Sequence, residues 1–131
     1  MCIDYIHTFK TRKARTVFKL VSITRRGNFI SPVGIENRAP QQGYGSSRGT
    51  RLRYSLRRKV RSEFSSSGGI YCFDNAKSAF GYLAHRRNIA VLACSVRAGT
   101  LIRVETERSL HMLAVEALTP LRVVVRMESP R

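Results

Sequence analysis

Basic and apolar side chains alternate through residues 50–60. A repeat of two is typical of a strand, which predicts Leu52, Tyr54 and Leu56 on one face and arginines on the other. An arginine guanidinium presents a planar fork of donors that matches a phosphate group. With its flanks, the segment holds seven basic side chains in fourteen residues: Arg48, Arg51, Arg53, Arg57, Arg58, Lys59 and Arg61. We predict a strand whose arginine face binds phosphate; the alternative is an edge strand that charge protects from pairing.

Positive charge dominates the whole chain. Of 131 residues, 24 are Lys or Arg and 8 are Asp or Glu, which gives a formal net charge of +16. Residues 1–61 contain 15 basic and 2 acidic side chains, whereas residues 62–131 contain 9 and 6. A fold with this charge repels itself, and a polyanionic partner is the natural reason to retain it. The composition favours nucleic acid as the partner, and an apolar content of 43% argues against a disordered basic tail.

Further basic and aromatic side chains extend this candidate site. The basic ones lie in residues 1–15, predicted to be a flexible arm, and at a predicted turn: Lys10, Arg12, Lys13, Arg15, Arg25 and Arg26. Tyr44 and Tyr54 are candidate stacking platforms for bases, although Tyr54 is expected rather in the core. No helix-turn-helix, zinc-finger or RRM signature is present. The pattern predicts sequence-tolerant binding of a backbone, with RNA or a single strand favoured over duplex DNA.

The rest of the chain predicts the elements that position these side chains. Residues 16–131 have the size and apolar content of a single α+β domain with a twisted, mainly antiparallel sheet. Asp74 or Asn75 can cap one clear helix over residues 75–87. The apolar run over residues 89–96 predicts a central strand. Further strands are predicted at 17–24, 29–33, 70–73, 101–104, 111–118 and 121–127.

The cysteines and histidines point away from metal chemistry. Cys2, Cys72 and Cys94 are far apart and odd in number, which predicts buried, reduced thiols in a cytoplasmic protein. The three histidines are scattered as well, so we expect no metal site and no cofactor for a nucleic-acid-binding function. The longest apolar stretch is too short to span a bilayer, so no membrane partner is expected.

Residues 69–99 resemble the core of ADP-ribosyltransferases of the poly(ADP-ribose) polymerase type. Gly69-Ile70-Tyr71 matches the G-I-Y strand of that family, and Tyr82 follows in the predicted helix, ahead of the apolar strand. The second tyrosine of the family stacks on nicotinamide, so the resemblance implies that role for Tyr82. Tyr44-Gly45-Ser46 lies where the family has H-G-S or H-G-T, with tyrosine in place of the histidine that holds the NAD ribose. The resemblance implies an ADP-ribosyltransferase-like fold and, as an alternative function, an enzyme that uses NAD.

A second stretch is similar to toxin-type ADP-ribosyltransferases, which carry an aromatic-S-T-S strand and, further along, an E-x-E motif. Phe64-Ser65-Ser66-Ser67 and Glu105-Thr106-Glu107 have this arrangement. The resemblance implies that Glu105 or Glu107 stabilises a cationic ribosyl transition state, with Glu116 as a further candidate. Such an active site requires Tyr82 and one of these glutamates to meet in one cleft.

The chain is also similar to small basic proteins encoded by bacteriophages. The matching residues are Phe18-Lys19-Leu20, residues 27–31 and residues 69–73 with Ala76. This similarity implies a viral origin and the cytoplasm of a bacterial host as the location. A third hypothesis is then an inhibitor that binds an acidic host protein, since a basic surface also attracts carboxylates.

Overall fold

The structure of the chain, a computed structural model, describes residues 5–31, 52–62, 69–82, 87–107 and 110–128. These ranges form ten strands and one helix. In chain order they are β1 (Tyr5–Lys10), β2 (Arg15–Ile23), β3 (Phe29–Ile30), β4 (Arg53–Tyr54), β5 (Val60–Arg61), β6 (Ile70–Cys72), α1 (Ala76–Tyr82), β7 (Ile89–Val96), β8 (Leu101–Glu107), β9 (Leu110–Val115) and β10 (Ala117–Met127).

The strands form two antiparallel sheets. One has six strands in the order β4-β3-β2-β7-β10-β5, and the other has four in the order β1-β8-β9-β6. An isolated β-bridge connects them, in which the N–H groups of Phe18 and Phe73 donate to each other's carbonyls over 2.7 and 2.8 Å. The predicted mainly antiparallel architecture with a helix is therefore confirmed at this level.

β7 lies at the centre of the larger sheet, between β2 and β10, as the sequence predicts. All of its side chains are buried except Ser95, which is half-buried. Leu92 and Cys94 face the larger apolar core, whereas Ile89 and Val91 face a smaller one beneath α1. Burial on both faces explains the unbroken apolar run.

The six-stranded sheet is strongly curled, and a short segment connects its outer strands. In a flat sheet β4 and β10 would stand about 19 Å apart, or four strand spacings. Tyr54 in β4 is only three residues from Arg57, which is about 10 Å at full extension. The Arg57 N–H nevertheless donates to the Pro120 carbonyl in β10 over 2.6 Å, and Val60 then pairs with Leu118. The sheet must therefore curl around the larger core, and the residues between β4 and β5 close it.

The helix packs on the outer face of the curled sheet. The Asn75 side-chain oxygen accepts the Ser78 N–H over 2.7 Å, which confirms the predicted cap. Ala79 is fully buried in the smaller core. Arg87 lies in a bend before β7, so the predicted extension of the helix to this residue is wrong, and residues 83–86 lie outside the described ranges.

The predicted continuous strand over residues 50–60 is wrong. The chain turns between β4 and β5, where the Arg58 N–H donates to the Ser55 carbonyl over 3.2 Å. Arg57 has φ of 67°, in the left-handed region that extended strands do not use. Two short strands replace the long one because closing the sheet requires the chain to change direction at this point.

The predicted flexible arm is corrected for residues 5–15. β1 pairs with β8 along its whole length, from Tyr5 opposite Thr106 to Lys10 opposite Leu101. Phe9 packs against the larger core. Residues 5–10 form an ordered edge strand, and Phe9 contributes to the core, which the basic residues around it obscure in the sequence.

Candidate nucleic-acid interface

The closing segment, which we define as residues 53–61, carries the predicted phosphate-binding side chains that the structure describes. Tyr54 is 2% exposed and Val60 packs against the same core. Because neighbours in a strand face opposite ways, the residues beside them in β4 and β5 point outward. The exposed basic side chains of the segment are Arg53, Arg57, Arg58, Lys59 and Arg61. Arg48 and Arg51 lie outside the described residues.

These five side chains make no ion pair with any carboxylate that the structure describes. The ion pairs within the described ranges join Arg103 to Glu105 and Arg126 to Glu128. Fifteen of the exposed residues there are basic, whereas only Asp74 and Glu128 are exposed and acidic. The positive potential of the closing segment is therefore left uncancelled by the described part of its own chain.

Arg57 occupies the turn of the closing segment in a conformation that favours glycine. Its φ of 67° is left-handed, which costs a residue with a Cβ atom about 1 kcal/mol. The bond from its N–H to the Pro120 carbonyl, 2.6 Å long, holds this backbone in place. Glycine would adopt the same backbone without strain. The turn thus carries a strained arginine at the centre of the basic surface.

Two leucines lie beside this turn and are exposed. Leu56 is 43% exposed and Leu121 is 41% exposed. They adjoin Arg57 and Pro120, whose hydrogen bond keeps the two leucine Cα atoms within about 8 Å of each other. The prediction that Leu56 shares one face with Tyr54 is wrong, because Tyr54 is buried and the turn interrupts the strand alternation before Leu56.

A second basic surface is built from two adjacent turns, residues 11–14 and 97–100, which we call the basic turn pair. The Thr11 N–H donates to the Thr100 carbonyl over 2.9 Å, and the Gly99 N–H donates to the Thr11 carbonyl over 2.7 Å. The exposed basic side chains on the pair and next to it are Lys10, Arg12, Lys13 and Arg97, and Arg15 is half-buried. The structure therefore places the basic residues of the predicted arm, from Lys10 to Arg15, on an ordered surface.

One row of backbone contacts connects the two basic surfaces. The Ser62 N–H donates to the Glu116 carbonyl over 3.0 Å, and the Glu116 N–H donates to the Leu101 carbonyl over 3.1 Å. Leu101 pairs in turn with Lys10. Three strand spacings of about 4.8 Å separate the ends of this row, or about 14 Å. The Glu116 carboxylate within the row is half-buried and accepts the Leu101 N–H over 3.0 Å.

Arg25 and Arg26 lie elsewhere. They occupy the exposed turn after β2, and the nearby Ile23 N–H donates to the Asn88 carbonyl over 2.7 Å. The nine residues of β2 separate this turn from the basic turn pair, which corresponds to about 30 Å of extended chain. The structure therefore places these two predicted site residues at the opposite end of β2 from the basic turn pair. Arg87 lies near them, because Ile23 is bonded to its neighbour Asn88.

Tyr54 is not available to stack on a base. It is 2% exposed, and the Lys19 ammonium lies 5.6 Å from the centre of its ring. Lys19 itself is 1% exposed, and its Nζ donates to the Tyr71 carbonyl over 2.8 Å. The expectation that Tyr54 belongs to the core is confirmed, and Tyr44 lies outside the described residues.

Tyr71, Arg103 and Glu105 form a cluster on the four-stranded sheet, in which Arg103 and Glu105 are buried and Tyr71 is half-buried. Arg103 Nε lies 2.6 Å from Glu105 Oε2, and the Tyr71 hydroxyl lies 3.3 Å from the same oxygen. The Arg103 guanidinium also donates to the Tyr71 hydroxyl over 3.2 Å. Ala114 pairs with both Tyr71 and Arg103, and its small side chain lets them meet across it. Burial, and next the Glu105 carboxylate, raise the pKa of Tyr71.

The alternative function, ADP-ribosyl transfer, requires an available glutamate, and this cluster contains one of the three candidates. Glu105 is 8% exposed and is bound to Arg103, so its charge is already compensated by a guanidinium. Glu116 holds a backbone N–H at the start of β8. Glu107 and Tyr82 end β8 and α1, and their side chains are outside the described part of the structure. The described geometry therefore offers no glutamate placed to stabilise a ribosyl cation.

Arg97 is an exposed basic residue that the sequence analysis did not single out. It follows the apolar strand in a turn that contains Gly99, whose φ is 88°. It joins the basic turn pair only because β2 and β7 are antiparallel neighbours, with Arg15 opposite Val96. If the pairing of these two strands had been predicted, Arg97 would have been expected near the turn that holds Lys13. The periodicity within either strand does not indicate which strand is its neighbour.

No family model, curated protein or solved structure matches the chain. Across the described ranges, no three His, Cys, Asp or Glu side chains come together so as to hold a metal ion. The same ranges contain no helix that is long and apolar enough to cross a membrane.

Proposed function

We propose that this chain is a nucleic-acid-binding protein that holds the phosphate backbone of RNA or another single strand. The closing segment and the basic turn pair supply the contacts, and the row of backbone contacts from Ser62 to Lys10 connects them. The proposal is carried by one observation: exposed basic side chains on ordered backbone, uncompensated by described carboxylates. Each guanidinium that meets a phosphate releases counterions, and this release drives binding.

The shape of the site favours a backbone over base edges of a duplex. The described helix α1 has seven residues, or about 10 Å of rise, and lacks basic residues in its last turn. A duplex reader places a helix or ribbon with base-reading side chains in the major groove. Basic side chains on turns and short strands instead suit sequence-tolerant contact with a flexible strand. The buried thiols of Cys72 and Cys94 fit the predicted cytoplasmic location.

The test is a triple variant, Arg58→Glu, Lys59→Glu and Arg61→Glu, with a control of equal charge change at the far end of β2. The control is Arg25→Glu, Arg26→Glu and Arg87→Glu. We expect the first variant to lose binding to a single-stranded RNA and the control to retain most of it. Fluorescence anisotropy gives the dissociation constants, and circular dichroism shows that both variants fold.

The salt dependence gives a second measurement. If six phosphates are neutralised, the slope of log affinity against log salt for the native protein should be about −4, from about −0.7 per contact on a single strand. Equal losses in the two triple variants would show that net charge alone attracts the ligand and would overturn the proposed interface. Affinity independent of salt would overturn the proposed function. A pulldown dominated by one acidic protein after nuclease treatment would favour the inhibitor hypothesis instead.

A further inference from the structure

An aromatic pair on β1 lies next to the basic turn pair. The rings of His7 and Phe9 have centroids 5.5 Å apart and planes 25° apart, which is a stacked arrangement. Phe9 is half-buried and packs against the larger core, whereas His7 is exposed. One ring of the pair is thus anchored in the fold and the other reaches the surface.

The position of this pair follows from the register of β1. Phe9 lies opposite Ile102 and is two residues before Thr11, where the first turn of the basic turn pair begins. Two residues of strand cover about 7 Å, and His7 is one such step further away. A strand whose phosphates are held at Arg12 or Lys13, in the turn that follows β1, therefore passes within one or two nucleotides of the rings.

We propose that the His7–Phe9 pair is a stacking subsite for an unpaired base of the bound strand. This inference rests on the proposed function, and it adds a base contact to a site so far described through phosphates. Near-parallel rings can be extended by a third planar ring, whereas an edge-to-face pair presents no continuing stack. Every base has a π-face, so such a platform tolerates any sequence. Bases of a duplex are already stacked on each other, so the subsite selects single strands.

The structure also explains why the platform is effective before any ligand arrives. β1 is pairwise bonded to β8 over six residues, so the backbone under both rings is ordered. A side chain that is already anchored loses little conformational entropy on binding. The aromatic pair thus takes the role that the sequence analysis assigned to Tyr44 and Tyr54.

The experiment compares two strands of the same length, about ten nucleotides, which is within the range of one single-strand site. One is RNA that carries 2-aminopurine, and the other is its abasic analogue, which keeps the phosphates and lacks the bases. The variants are His7→Ala and Phe9→Leu, the second of which keeps an apolar side chain for the core. Thr8→Ala is the matched control, because Thr8 is exposed on the opposite face of the same strand.

We expect the native protein to bind the base-bearing strand about tenfold more tightly than the abasic strand, as stacking of one base provides. His7→Ala and Phe9→Leu should remove this preference and the quenching of 2-aminopurine, with the salt slope unchanged, and Thr8→Ala should change neither. Equal affinity of the native protein for both strands would overturn the stacking subsite and leave the phosphate-binding function standing. An equal loss of affinity for the base-bearing and the abasic strand in the two variants would also overturn the stacking subsite. Failure of the native protein to bind either strand would overturn the proposed function itself.

Discussion

Basic side chains occupy two contrasting regions of this molecule, the interior and the closing segment. In the interior, Lys19 and Arg103 are each 1% exposed, and both have polar partners at hydrogen-bonding distance. In the closing segment, five basic side chains are exposed and make no ion pair with a described carboxylate. The same residue types therefore serve the fold in one region and leave their charge to solvent or a ligand in the other.

The physical reason for the contrast is desolvation. A buried charge without a partner is strongly unfavourable, so an interior cation is tolerated only with an acceptor in place. Lys19 meets this condition with a backbone carbonyl and Arg103 with a carboxylate. An exposed cation keeps its hydration, and its only penalty is repulsion from its neighbours. A count of positive residues therefore overstates the binding surface unless the buried ones are removed from it.

The largest effect is expected from removing the interior charge of Arg103. Arg103→Met leaves the Glu105 carboxylate buried without its partner and should lower the free energy of unfolding by about 3–5 kcal/mol. Arg58→Met makes the same chemical change on the surface and should alter it by less than about 0.5 kcal/mol. Urea denaturation measures both. Equal effects would contradict the distinction between the regions, and adding Glu105→Met to Arg103→Met should recover part of the loss.

A smaller interior effect should appear as pH rises. Burial raises the pKa of Cys94 from 9.0 to about 12, and the pKa of Tyr71 is raised above 10.0 by burial and Glu105. Above pH 9 the unfolded chain releases these protons before the folded protein does, so the free energy of unfolding should fall. The contribution is fully present below pH 9 and is lost toward pH 12.

Cys94→Ala provides the check on this pH dependence. Unfolding free energies measured by denaturant titration between pH 8 and pH 11 should decline less steeply in the variant than in the native protein. The slope is the readout, because the substitution also removes a buried sulfur and lowers stability at every pH. Parallel slopes would show that the buried thiol does not control the decline.

The smallest change in stability is expected in the closing segment. Arg57→Gly relieves a left-handed backbone, so the free energy of unfolding should stay unchanged or rise by up to about 1 kcal/mol. Affinity for single-stranded RNA should fall, since a central cation of the surface is removed. Asn88→Gly is the matched control, because Asn88 also has a left-handed φ, of 60°, and carries no charge. It should leave RNA affinity unchanged. A marked loss of stability in Arg57→Gly would place Arg57 with the interior cations instead.

The elements that the sequence predicts well are those whose surroundings are uniform along their length. The apolar run of β7 is buried on both faces, and the Asn75 cap depends on residues three positions away. The segment over residues 50–60 fails because its alternation is continuous in sequence, whereas its two halves pair with different strands, β3 and β10. Local periodicity reports which face a side chain prefers, and it carries no information on where a sheet must close.

The candidate site likewise has features that the sequence predicts and features that only the strand pairing determines. Charge and arginine content are properties of composition, so the sequence alone establishes a basic chain with enough apolar residues to fold. Tertiary pairing decides which cations reach solvent. Lys19 and Arg103 are buried, and Arg97 lies with Lys13 on the basic turn pair. Arg25 and Arg26 lie at the far end of β2. These outcomes depend on contacts between residues distant in sequence, because burial and proximity are set by strand order and register rather than by neighbours along the chain.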